Sequence, residues 1–129
     1  MKILVTGGAG YIGSFMTKRL LDDGHQVVVA DSLERGHQES IDSRAIFMKG
    51  NLLEKSFVEN IFSSHMFDGV IHFAGFISMG ESMENPFIYF SNNVFASLNI
   101  IEVMVTKGIN NFIFSFLITS FTPGAYLPG

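Results

Sequence analysis

The chain has 129 residues, of which 47% are hydrophobic and 16% charged; its formal net charge is −4 and it contains no cysteine. This length supports one ordinary domain, and the apolar fraction supports a packed core rather than a disordered chain. The acidic balance lacks the concentrated positive charge that phosphate backbones require, so no nucleic-acid partner is expected; the absence of cysteine excludes a disulfide scaffold and a thiolate zinc site.

The elements alternate along the chain. Residues 2–5 read as a buried strand that runs directly into glycines. Residues 12–21 place Ile12, Phe15, Met16, Leu20 and Leu21 near a helical period, and Gly24 stands where a left-handed cap is expected. Residues 26–30 form a second apolar strand ending at Asp31. The polar segment 32–43 reads as a loop or a short irregular helix, and 45–49 as a third strand. Residues 53–65 fit a helix with Phe57, Val58, Ile61 and Phe62 on one side. A fourth strand spans 69–73, followed by a small, polar loop over 74–85. Pro86 suits the first turn of a helix running to Lys107, which Gly108 ends. Residues 111–117 form a fifth strand, and no periodicity follows.

Strands alternating with helices predict an α/β fold, a doubly wound parallel sheet of Rossmann-like type with strand order 3-2-1-4-5. Nearly continuous apolar strands agree, because such a sheet is covered on both faces. No secretory leader is expected, since Met1-Lys2 leads straight into the first strand. The uncharged stretch 110–129 is broken by Pro123-Gly124 and falls short of the ~20 apolar residues needed to cross a bilayer. A cytoplasmic chain without a membrane partner is therefore expected.

Gly7, Gly10 and Gly13 follow the first strand and open the first helix. A pyrophosphate is held at such a helix start by main-chain N–H groups and the helix dipole. The spacing suits a tight turn, close approach of a phosphate, and helix packing on the sheet. A tight corner without a ligand is the alternative. Asp31 lies eighteen residues past Gly13, where an acid would bind the adenosine ribose hydroxyls. A carboxylate there repels a 2′-phosphate and so favours NAD over NADP. Asn51 and Leu52 follow the third strand, either beside an adenine or in a simple turn. Phe73, Ala74 and Gly75 end the fourth strand, where small residues would admit a cofactor. Ligands of open parallel sheets bind where strand order reverses, here between the first and fourth strands. His25, His37, His65 and His72 lack metal-ligand spacing, and no metal is expected; His72 reads as a core histidine.

Taken in order, Thr6-Gly7-Gly8-Ala9-Gly10-Tyr11-Ile12-Gly13, Asp31, Val70-Ile71-His72-Phe73-Ala74-Gly75, Gly80-Glu81-Ser82 and Asn92-Asn93-Val94 resemble the UDP-glucose 4-epimerase family of extended short-chain dehydrogenase/reductases. The resemblance covers residues 1 to about 115. It implies a tightly held NAD and interconversion of UDP-glucose and UDP-galactose through a 4-keto intermediate. It also implies NAD contacts from Gly7, Gly10, Tyr11, Ile12, Gly13, Asp31, Asn51, Leu52, Phe73, Ala74, Gly75 and Asn92. Asn51 is Asp in most members, and Ile77 stands where many carry a cofactor-contacting Lys.

The family's base is a Tyr with a Lys four residues on, aided by a Ser or Thr at the end of the fifth strand. Here Leu117 takes the place of that Ser or Thr, and Tyr126 has no Lys four residues later. No catalytic residue is therefore assigned. The expectation is an NAD-binding domain over 1–115, a divergent apolar tail over 116–129 produced by a frame disruption near Ser115, and no substrate domain. UDP-sugar would then bind only the full-length parent. The uncharged β-forming run 112–121 predicts self-pairing and hence a homo-oligomer. Two other readings are an interaction protein docking through that strand and an epimerase completed by another chain.

Overall fold

The computed structural model describes residues 1–33, 36–78 and 86–119. Five strands, β1 (Lys2–Thr6), β2 (Gln26–Asp31), β3 (Ile46–Lys49), β4 (Gly69–Ser78) and β5 (Phe112–Thr119), alternate with helices α1 (Tyr11–Asp22), α2 (Lys55–Ser64) and α3 (Pro86–Lys107). All strand pairs are parallel, and the sheet order is β3-β2-β1-β4-β5. The anticipated fold is the observed one.

Period-two alternation along the strands divides the core into two layers. Leu4, Val28, Ala30 and Val70 meet Val58, Ile61 and Phe62 of α2 and Ile100, Val103 and Met104 of α3. Ile3, Val5, Val27, Val29 and Ile71 face the other way, toward Met16, Leu20 and Leu21 of α1. Every strand side chain in these sets is covered, which is why the sequence shows continuous apolar runs.

One sequence expectation is corrected. The fourth strand does not stop at Phe73. It continues to Ser78, with a register irregularity between Ala74 and Ile77, because Ile77 and Ser78 find partners in Ile118 and Thr119. On α1, Met16, Leu20 and Leu21 pack toward the sheet beside the buried Gly13 and Thr17, while Ile12 and Phe15 are exposed. The polar segment after β2 contains one 3-10 turn, Gln38–Ser40, within what read as loop or short helix. Gly24 and Gly108 take the left-handed conformation anticipated for helix ends, with φ of +92° and +72°. The expectations resting on Gly80-Glu81-Ser82 and on Tyr126 lie outside the described residues. Among the described residues, no helix is long and apolar enough to cross a membrane.

Candidate dinucleotide site

The site lies at the carboxyl ends of β1 and β2 and beside the middle of β4, at His72 and Phe73. Gly7 leaves β1 at φ +73°, and a Cβ there would lie 2.6 Å from the Phe73 carbonyl oxygen. Only glycine lets the first corner close against the fourth strand. At Gly13 a Cβ would lie 2.3 Å from the Gly7 carbonyl oxygen and 2.7 Å from the Gly8 Cα, so this glycine lets α1 start directly on the corner.

Gly10 differs from both. Its φ is −77° and ψ 173°, open to any residue, and among the described residues a Cβ would meet only the Gly7 carbonyl oxygen, at 3.6 Å. Neither backbone conformation nor protein packing requires glycine here. What a Cβ would fill is the space in front of the α1 N-terminus. The Ser14 N–H donates to the Gly10 carbonyl at 2.8 Å, beginning the helix. Helical geometry then gives the N–H groups of Tyr11, Ile12 and Gly13 no intrahelical acceptor. The first turn holds no acidic residue, and Gly10 has no side chain with which to cap it. The corner thus offers directed donors, a positive dipole end and room in front of them, which together fit a pyrophosphate.

Asp31 closes the corner from the side of β2. One carboxylate oxygen accepts the Ala9 N–H at 3.0 Å, and the other accepts the Leu33 N–H at 2.7 Å. Leu33 sits at φ +68°, an uncommon conformation for a branched side chain, within the turn that this second bond closes. Each oxygen keeps a lone pair that can accept a hydroxyl.

These groups line one cleft of about 770 Å³, within the range of small-molecule sites. Of the residues singled out from sequence, Gly7, Gly10, Tyr11, Ile12, Gly13, Asp31, Asn51, Leu52, Phe73 and Asn92 line it. Ala74 and Gly75 continue β4 as backbone; their side-chain surroundings lie outside the described residues. Asn51 also makes a turn: its side-chain oxygen accepts the Leu53 N–H at 2.9 Å. The wall has further members that sequence reasoning did not single out, among them His37, Ser40, Asn93 and Ser115. Ser115 stands midway along β5, paired with Phe73 of β4. His37 and Ser40 carry no local signal.

α3 is fastened at both sides of this cleft. The Asn99 side-chain amide donates to the carbonyls of Leu52 and Leu53 at 3.0 and 3.2 Å. Further along the sheet, His72 contacts the Thr6 hydroxyl through Nδ1 and the Ser97 hydroxyl through Nε2, the latter at 3.1 Å. Burial pushes the His72 pKa down to about 4, so the ring is neutral at physiological pH.

Fold and corner together define a Rossmann-like dinucleotide-binding unit, and residues 3–120 match the NAD dependent epimerase/dehydratase family, to which this chain belongs. Within it, the chain is similar to UDP-glucose 4-epimerases. It is 44% identical to that of Lacticaseibacillus casei over 115 residues, covering 89% of this chain and 35% of the relative. It is 42% identical to that of Erwinia amylovora over 135 aligned positions, covering 99% of this chain and 40% of the relative. A crystal structure of the Thermus thermophilus UDP-glucose 4-epimerase in complex with NAD superposes with a TM-score of 0.82 at 35% identity, covering 87% of this chain and 36% of that one. The chain therefore spans well under half the length of the relatives it matches.

Proposed function

We propose that these residues are the NAD-holding unit of a UDP-glucose 4-epimerase. The single observation that carries the reading is Gly10, a glycine that the protein's own packing does not need and that a bound phosphate would. The relative from Thermus thermophilus, crystallised with NAD, supports it. NAD supplies a hydride acceptor and donor when bound. The N–H groups of Tyr11, Ile12 and Gly13 would hold its pyrophosphate. Asp31 would accept from ribose hydroxyls while repelling a 2′-phosphate, which selects NAD over NADP. Asn51 and Leu52 would flank the adenine, and Phe73, Ala74, Gly75 and Asn92 the opposite end of the cofactor.

Residues 1–115 make up this unit in the proposal, and UDP-sugar binding belongs to the full length of the family's enzymes. These residues alone would bind NAD without turning over sugar. Tyr11 and Tyr89 have Phe15 and Asn93 four positions on, neither of which can serve as the lysine of a Tyr–Lys pair. A cytoplasmic location goes with the reading and is open to cell fractionation.

Self-association is the second part of the proposal. Phe87, Phe95, Leu98 and Val105 of α3 are 53–80% exposed, and Ile113 and Phe114 of β5 are 60% and 48% exposed. Phe114 stands on the α3 side of the sheet and Ile113 on the other, so β5 offers exposed apolar side chains on both faces, and surface of this kind marks an interaction site. Titration calorimetry with NAD and NADP, alongside an epimerase assay, tests the whole. NAD binding, weaker NADP binding and no turnover are expected; a folded protein that ignores NAD overturns the reading.

A further inference from the structure

Thr6, His72 and Ser97 form a polar line through an otherwise apolar layer, with relative exposures of 0, 2 and 8%. Groups buried this deeply need defined partners, and theirs can be assigned by elimination. The Ser97 hydroxyl lies 2.8 Å from the Asn93 carbonyl, which can only accept, so Ser97 donates there. Its lone pair must then accept from His72 Nε2–H, at 3.1 Å. A neutral ring protonated on Nε2 has a bare Nδ1, and that nitrogen accepts from the Thr6 hydroxyl. The opposite tautomer would set the bare Nε2 against a hydroxyl whose proton is already committed.

The ends of this line matter more than its middle. Thr6 immediately precedes Gly7, the residue that turns the chain into the corner at φ +73°. Asn93 is next to Asn92, and both line the cleft. The ring itself is wedged by Phe112 and Phe114 of β5, at centroid distances of 6.3 and 5.6 Å. Among the described residues, the hydrogen-bond and ring partners of His72, from β1, α3 and β5, are Thr6, Ser97, Phe112 and Phe114, none of them charged.

We infer that His72, held as the Nε2-protonated neutral tautomer, is a positioning residue whose one-way relay from Thr6 through Ser97 to Asn93 sets the glycine corner and α3 at a fixed separation across the dinucleotide cleft. The ring touches no reacting group and does no chemistry. A relay with a single proton order has one geometry, and it fixes α3 against β1 and β4 where the Asn99 bonds fix it against the loop after β3. The effect on affinity rests on the NAD reading; the relay itself does not.

Long-range proton–nitrogen NMR of the His72 imidazole, with the variants T6V and T6S, tests this. Wild type is expected to show one tautomer, protonated on Nε2. T6V, close in shape but without the donor, is expected to keep the Nε2 proton, which Ser97 fixes, but to shift the Nδ1 signal and the Gly7 and Asn93 amide signals and to bind NAD about tenfold more weakly, while T6S, which keeps the hydroxyl, stays within about twofold of wild type. A purely structural role would lower thermal stability without moving the Gly7 and Asn93 amide signals or the NAD affinity. An Nδ1-protonated or mixed wild-type ring overturns the inference, as does a folded T6V with wild-type affinity. If wild type fails to bind NAD, the proposed function falls. The relay is then decided by the tautomer and by the Gly7 and Asn93 amide signals: unchanged signals in T6V overturn it.

Discussion

A carboxylate oxygen of Asp31 accepts the main-chain N–H of Ala9 at 3.0 Å, fastening the end of the second strand to the glycine corner. Read from sequence, the two are separate cofactor contacts at the spacing of a ribose acid and a phosphate loop. In the fold they are bonded to each other before any ligand arrives. Gly36 tightens the same knot, since a Cβ there would lie 2.3 Å from the Ala9 carbonyl oxygen.

Removing this acceptor has two separable effects. Ala9 is buried, so D31A leaves its N–H unpaired and costs about 1–3 kcal/mol in urea-monitored stability. D31N keeps one acceptor oxygen and loses less. Both variants are expected to bind NAD more weakly, measured by calorimetry. Equal stability of D31A and wild type would show that the bond to Ala9 contributes nothing.

Gly10 and Gly13 should respond oppositely to alanine. At Gly10 the backbone is compatible and the space open, so G10A leaves stability unchanged or raises it by up to about 1 kcal/mol while NAD affinity falls at least about tenfold. At Gly13 the new methyl would collide with the Gly7 carbonyl, and G13A is expected to destabilise by about 1–3 kcal/mol. Denaturant midpoints and NAD titrations on the same two proteins decide it. A destabilised G10A would mean that the protein, not a ligand, needs that glycine.

Stability should fall as pH falls through a window set by His72. Burial holds its folded pKa near 4, below the ordinary histidine value near 6.5. An unfolded chain therefore binds the proton first. The stabilisation is complete above about pH 6.5 and is lost progressively toward pH 4, by about 3 kcal/mol in all. His65, lowered mainly by burial and then by Lys2, adds in the same direction. Asp22 and Asp42, held low chiefly by hydrogen bonds from Lys18 and Arg44, act only below the ordinary carboxylate range. Urea midpoints from pH 7.5 to 4, with His72 followed by NMR, check the sign; a flat profile through that window contradicts it.

Association should depend on α3. Leu98 is 53% exposed, so L98E leaves the monomer's core intact. Sedimentation is expected to show wild type as a dimer or larger species and L98E shifted toward monomer. A wild-type monomer at high concentration would remove this part of the proposal.

The architecture was legible because each strand and helix announces itself locally. The apolar runs, Pro86, Gly24 and Gly108 mark boundaries through backbone chemistry that neighbours do not alter. The glycine corner was legible for the same reason. The end of β4 was not: Ala74 and Gly75 look like breakers, and only pairing with Ile118 and Thr119, some 40 residues away, keeps the strand going. The helical period of α1 was legible, but not that Ile12 and Phe15 stay exposed while Met16, Leu20 and Leu21 pack on the sheet beside Gly13 and Thr17. His72 was recognisable as a core histidine, but its partners lie 66 and 25 residues away, at spacings no local pattern encodes.

The empty volume beside Gly10 has an evolutionary consequence. At most glycines of this corner a larger residue is purged because the chain folds poorly, whatever the cell requires of it. At Gly10 a larger residue would be invisible to chaperones and proteases and would be noticed only by the metabolism that uses the ligand. Lineages that stop needing the ligand should therefore lose this glycine first, while the neighbours at 7 and 13 persist.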